Sequence, residues 1–266
     1  MGTNVTDYDF TINEPVIHKK YGEGVIVAID KYITVDFCYD GEKKFLLNAF
    51  DKGYLYHREG SLKKYLVTDD WIYSLYLYYP TAYQNCGWVL REKDQRISEE
   101  ILKYKNGVES TVRKFTDELY DAVLSIIGNL FSSGPVWLIA VPSSQASKKP
   151  QAAKSVTDIA FRYCDEHTDR WVLDKTAHLY RKTSIMSAHL SNKRPSIQTQ
   201  KETMLFDVEY VHKDVSIILI DDVVTVGTTM TACRELLMDA GVSKDNIKGL
   251  TIGKTVPREI MKTYVE

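Results

Sequence analysis

Cysteine is scarce in this chain, charge imbalance is small, and long apolar runs are missing. The four cysteines, Cys38, Cys86, Cys164 and Cys233, are far apart and include no Cys-x-x-Cys pair. That indicates neither a zinc site nor a disulfide framework. A reducing cytoplasm is the expected compartment. The 266 residues carry a formal net charge of −2, so no global field draws the chain to nucleic acid or to a membrane. No apolar run approaches the ~20 residues that a membrane helix needs. The first residues, Met1 to Asp7, are polar and acidic, unlike a secretory leader. A Gly-x-x-x-x-Gly-Lys-Ser/Thr loop is also missing, which argues against an ordinary nucleoside triphosphatase. Neither an internal repeat nor a low-complexity segment is apparent. Tyrosine, by contrast, is abundant: there are eighteen, many between residues 54 and 83.

The most informative stretch is 215–230. Ile217 to Ile220 read as a buried strand of a parallel sheet. The strand is expected to end on Asp221 and Asp222. A turn of small residues follows, Thr225-Val226-Gly227-Thr228-Thr229. Met230, Cys233, Leu236, Leu237 and Ala240 then recur at helical spacing, and Gly241 ends the helix. The N–H groups at a helix start are unsatisfied and carry the positive end of the dipole, so an anion settles there. Thr225, Thr228 and Thr229 add hydroxyl donors, and Gly227 lets the backbone approach closely. A phosphate alone needs no acids. Two carboxylates beside it suit sugar hydroxyls, so the pattern points to a ribose 5-phosphate.

Strands and helices alternate from about residue 110, which predicts an α/β domain with a parallel sheet and ligands at strand C-termini. Val112, Phe115, Leu119, Ala122, Val123, Ile126, Ile127 and Leu130 give a long amphipathic helix. Ser132-Ser133-Gly134-Pro135 breaks it. Val136 to Val141 is the first core strand, and it runs into Pro142-Ser143-Ser144. A helix over 152–163, a short strand at 171–173 and a strand at 247–253 complete the frame. Residues 181–206 are poor in apolar side chains and read as a long loop.

Residues 15–50 read as a small β unit of short strands, with an Asp40-Gly41 hairpin turn. Such short strands with tight turns suggest a small barrel. Lys19, Lys20, Lys43 and Lys44 offer a basic patch, diluted by Glu23, Asp36, Asp40 and Glu42. Three segments result: a barrel-like domain over 1–60, an aromatic connecting or hood segment over 61–109, and an α/β domain over 110–266. The aromatic run Asp69 to Pro80 has no clean period. It reads either as core packing or as a surface on which a base stacks.

The thirteen residues Ile217 to Thr229 resemble the signature of the type I phosphoribosyltransferases: apolar strand, two acids, two apolar residues, Thr-x-Gly-x-Thr and a helix. The loop at 181–195 is similar to that of the ComF-like group, with Ser187-Ala188-His189-Leu190 and Arg194 at its marked positions. The small β unit resembles the SH3/Tudor-like barrels. The resemblance implies a phosphoribosyltransferase core, with Mg²⁺ and phosphoribosyl pyrophosphate bound and phosphoribosyl transferred to a nitrogen acceptor, such as a nucleobase. It implies Asp221, Asp222 and Arg194 as catalytic residues. Asp221 and Asp222 would hold the ribose, and Thr225 to Thr229 the 5-phosphate. Pro142, Ser143, Ser144, Lys148, Lys149 and Arg181 would bind the pyrophosphate. No residue would ligate the metal directly; it would be held through ligand and water oxygens. The chain departs from the ComF-like pattern at 148–154, where Lys148-Lys149 stands in place of an Arg-Gly-Phe-Asn run. Lysine supplies the charge without the two-pronged geometry of arginine. The alternative expectation is a regulatory binder without turnover, docking a protein or nucleic acid through its N-terminal domain. A homodimer is a further expectation, and no membrane partner is.

Overall fold

The computed structural model describes residues 10, 12, 14–18, 20–37, 40–50, 52, 54–57, 62, 65–68, 70–80, 92–185, 195–208, 211–212 and 214–256. The chain divides into two compact units, Met1–Lys64 and Tyr65–Glu266.

The first unit is an antiparallel sheet. Its strands are β1 (Pro15–His18), β2 (Gly22–Ile29), β3 (Tyr32–Phe37), β4 (Gly41–Leu46) and β5 (Leu55–His57), in the order β4-β3-β2-β1-β5. On β3, Ile33, Val35 and Phe37 recur at every second position on the buried face, and Thr34 between them is buried as well. The three apolar residues pack with Val16, Ile26 and Leu55. The β3–β4 turn closes on Gly41, whose φ of +65° is left-handed.

The second unit opens with β6 (Leu66–Thr68), β7 (Ile72–Tyr78), α1 (Glu92–Lys105), α2 (Glu109–Leu130), β8 (Val136–Ala140), α3 (Ala153–Glu166) and β9 (Val172–Asp174). It continues through β10 (Leu179–Arg181), α4 (Ile197–Glu202), β11 (Met204–Phe206), β12 (Ser216–Val224), α5 (Thr228–Asp239) and β13 (Ile247–Thr255). Six strands form one sheet in the order β6-β7-β13-β12-β8-β9. The β6–β7 pairing is antiparallel, and the other pairings in this sheet are parallel. The unit is therefore α/β with a mixed, mostly parallel sheet. β10 and β11 pair separately as an antiparallel ribbon.

The buried face of α2 carries Val112, Phe115, Leu119, Ala122, Val123, Ile126 and Ile127, the stripe that its spacing predicts. Two other regions differ from the sequence expectation. The aromatic run at 72–78 is β7, which lies inside the six-stranded sheet, hydrogen-bonded to β13 and β6. Ile72, Tyr73 and Ser74 are buried in succession. Burial on both faces of a central strand erases the alternation that would have marked it. Within 181–206, α4 and β11 are regular structure. Ser196 caps α4, its Oγ accepting from Thr199 N–H at 3.1 Å. Ile197 packs on the core cluster that contains Met204 and Leu237.

Gly249 shows how tightly the sheet is filled beneath α5. A Cβ there would lie 2.5 Å from Met230 Sδ and 3.0 Å from Ile72 Cγ1. Gly249→Val is expected to lower stability by about 1–3 kcal/mol through overpacking. Urea denaturation should show the transition midpoint fall with an unchanged slope.

Candidate functional site

The site is built where the sheet changes height. β8 pairs with β12 only as far as Ala140 opposite Ile220, and Val141 N–H closes that ladder on Ile220 O at 2.9 Å. β12 does not stop there. It pairs with β13 through Asp221–Thr251, Val223–Gly253 and Val224–Lys254. The strand therefore runs two residues past its expected end on Asp221 and Asp222, to Val224, because β13 continues to support it. The step leaves Asp221 to Val224 without β8 beside them, at the C-terminal edge where parallel sheets receive ligands.

Asp221 and Asp222 sit side by side at this edge, close enough for the Asp222 carboxyl to act on that of Asp221. Asp221 lines a small cavity of about 90 Å³ with Gln200, Thr225, Gly227, Thr228 and Thr229. Asp222 turns toward α1, where Lys105 Nζ lies 3.4 Å from its Oδ2. Each carboxylate folds back on the chain: Asp221 Oδ1 accepts from Asp222 N–H at 2.8 Å, and Asp222 Oδ1 from Val223 N–H at 2.6 Å. Burial pushes the Asp221 carboxyl well above its ordinary range, and the neighbouring Asp222 charge adds to this.

The threonine turn forms as its spacing implies. Gly227 is the residue before α5 and adopts φ +78°, a left-handed conformation that any side chain would strain. Its carbonyl accepts from Thr231 N–H at 2.8 Å. Thr225 and Val226 are exposed, while Thr228 and Thr229 are half-buried at the helix start. Lys254 Nζ donates to Thr225 O at 2.6 Å and ties the turn to β13.

The loop after β8 lies beside this edge. Ser143 and Ser144 are half-buried, and Lys148 and Lys149 are exposed. Among the described residues neither ammonium has a hydrogen-bonding or ion-pair partner. Arg181 is placed differently from the others. It is only 4% exposed, and its guanidinium is taken up by protein acceptors. Nε donates to Ser143 O at 2.7 Å, Nη2 to Gln200 Oε1 at 2.8 Å, and Nη1 to Thr203 Oγ1. No carboxylate is among those three partners. Burial lowers its pKa somewhat from the usual guanidinium value. Arg181 therefore stands behind the loop as a buried cation and fixes the Ser143 carbonyl. Further bonds, from Ile185 N–H to Ser144 O at 2.9 Å and from Ala146 N–H to Ser184 Oγ at 2.9 Å, strap the same loop. Arg194 and His189 lie outside the described residues.

Three contributors have no motif in the sequence. Lys105 sits at the end of a helix far from the signature, Gln200 lies on a short helix inside a stretch read as loop, and Lys254 is a lone strand-end lysine. Only the helix-end position of Lys105 gave a signal, and cations are common at helix C-termini for the dipole alone. Among the described residues, no group of three His, Cys, Asp or Glu forms a cation cage. None of their helices is long and apolar enough to cross a membrane.

Fold and edge together define an α/β protein with a candidate anion cradle and flanking carboxylates at the C-terminal end of β12. Comparison of the sequence with protein-family models gives no match, and comparison with curated proteins gives none.

Proposed function

We propose that the chain is a phosphoribosyltransferase-like protein of the type I superfamily. It would bind phosphoribosyl pyrophosphate with Mg²⁺ and transfer the phosphoribosyl group to a nitrogen acceptor, probed first with nucleobases. The observation that carries the reading is the joining of Asp221 and the Thr225–Thr229 turn in one cavity at the step between β8 and β12. The 5-phosphate would sit on the turn, where N–H groups and hydroxyls converge at the start of α5. A ribose lying across the end of β12 would meet Asp221 and Asp222 together. Both carboxylates then stand near the positive charge that develops at the anomeric carbon as pyrophosphate leaves. Lys148 and Lys149 supply charge to the pyrophosphate, and the Ser143–Ser144 turn offers N–H groups. Arg181 acts through that turn as a positioning residue. Magnesium suits this site as an ion carried on sugar and pyrophosphate oxygens, where it would offset their charge. Pyrophosphate release with a panel of bases, alongside calorimetric binding of the magnesium-loaded donor, tests the reading. Absence of donor binding would overturn it.

One observation favours binding without turnover. The guanidinium of Arg181 is occupied by protein acceptors, and lysines stand at the loop positions where arginine would grip pyrophosphate in two places. Donor binding without pyrophosphate release would select this second reading. The first unit would then serve as the docking domain.

Lys105 gives a separable test. Its charge is among the influences that lower the Asp221 pKa, opposing the larger effect of burial. Sugar binding needs the ionised carboxylate as acceptor. Lys105→Ala is therefore expected to move the onset of donor binding to higher pH, followed by calorimetry from about pH 5 to 9. An unmoved profile would remove Lys105 from the site.

A further inference from the structure

A cavity larger than the one at the acids lies elsewhere in the second unit. It is a cleft of about 390 Å³ on the β9–β10 side of the loop after β8, a size within the roughly 300–1,000 Å³ of small-molecule sites. Its walls are mostly apolar and include Pro142, Pro150, Ala153 and Leu179. Tyr180 lines it and is 39% exposed. Charges of both signs meet there. Lys148 and Lys149 contribute ammonium groups with no partner among the described residues. Asp174 contributes a carboxylate without a cation: Oδ2 accepts from the Thr157 hydroxyl at 2.6 Å and Oδ1 from Thr176 N–H at 2.9 Å. A carboxylate accepts about four hydrogen bonds, so acceptor capacity remains.

We infer that this cleft is a second ligand site for a nucleoside 5′-monophosphate whose base bears an amino group. The flat base lies against the proline, leucine and tyrosine walls, where stacking on an aromatic ring is tolerant of base identity. The amino group donates to Asp174. The phosphate meets Lys148 and Lys149. These features are independent of Asp221 and the threonine turn, so the inference does not require phosphoribosyl transfer.

The cleft is also wired to the edge of β12. Arg181 lines it, and its Nη2 donates to Gln200 Oε1 at 2.8 Å, while Gln200 lines the cavity at Asp221. The lysines offered to pyrophosphate are the same two that the nucleotide uses. Nucleotide and phosphoribosyl pyrophosphate therefore weaken each other's binding, by the same factor in both directions.

The test is calorimetry on the full chain with cytidine 5′-monophosphate, uridine 5′-monophosphate and magnesium-loaded phosphoribosyl pyrophosphate. Cytidine monophosphate should bind more tightly than uridine monophosphate, which lacks the amino group. Ala177→Trp, which fills the cleft from an exposed turn, should weaken the cytidine nucleotide by about tenfold or more and leave the donor unaffected. Tyr180→Ala should also weaken it, and guards against misfolding of the first variant. The Asp221→Asn/Asp222→Asn chain should keep nucleotide binding. No nucleotide binding by the unaltered chain would overturn the inference. So would equal affinity for the two nucleotides, or full binding by Ala177→Trp and Tyr180→Ala with loss in the Asn pair. Retained nucleotide binding without any donor binding would sink the transferase reading alone.

Discussion

Asp221→Asn combined with Asp222→Asn should abolish binding of the sugar-phosphate donor, with affinity falling about 100-fold or more, since hydrogen bonds to charged groups contribute roughly 1.5–3 kcal/mol each. The fold should survive, because Asn Oδ1 can still accept the neighbouring N–H groups that each carboxylate now holds at 2.8 and 2.6 Å. Stability should move the other way in the single Asp221→Asn chain. The Asp221 carboxyl has a folded pKa raised above its ordinary 3.8. The native state then holds a proton that the unfolded chain has released. Its ionisation withdraws stability as pH rises from the unfolded value through the folded one. Neutral Asn removes that cost, so the melting temperature at pH 7 should rise, by roughly 2–4 °C for each kcal/mol relieved in a chain of this size. The gain should fade on acidification, when the native carboxyl is protonated anyway. Calorimetry gives the affinity and thermal unfolding at two pH values gives the sign. Unchanged donor binding would refute the site.

Arg181→Lys should be the most damaging conservative change in the second unit. A lysine keeps the charge but presents a compact ammonium in place of a planar fork. It cannot reach Ser143 O, Gln200 Oε1 and Thr203 Oγ1 in their present directions. Buried acceptors left unmatched cost about 1–3 kcal/mol each. A loss of about 3 kcal/mol or more is therefore expected. The loop at 143–146 would also lose its anchor, so any turnover should fall more than donor affinity does. Equilibrium unfolding measures the first effect, and steady-state pyrophosphate release the second. Wild-type stability in the lysine variant would mean that the guanidinium bonds contribute little.

Those two residues also mark what the sequence revealed. The threonine turn with its glycine was legible because it is local: a short strand, a left-handed residue and a helix start leave a contiguous signature. The helix stripe on α2 was legible for the same reason. The extension of β12 through both acids was less visible, since it depends on β13, about thirty residues later. Arg181 was picked out for its charge, but its confinement depends on Gln200, Thr203 and the 143 carbonyl. β7 was hidden because a strand covered on both faces has no alternating pattern to read. The strands of unit 1 up to residue 46 were legible, since Asp40-Gly41 and the β-branched runs at 25–29 and 33–37 are signals within a few residues of one another, whereas β5 at 55–57 was not read.

Because β12 remains laddered to β13 as far as Val224, the carboxylates are mounted on backbone that separates only when the central sheet itself opens. Amide deuteration along 221–224 should accordingly lag far behind that of Thr225 and Val226. A cradle with one stiff rim and one yielding rim assigns the entropic toll of ligand capture to the turn, and leaves the acidic rim in place before anything arrives.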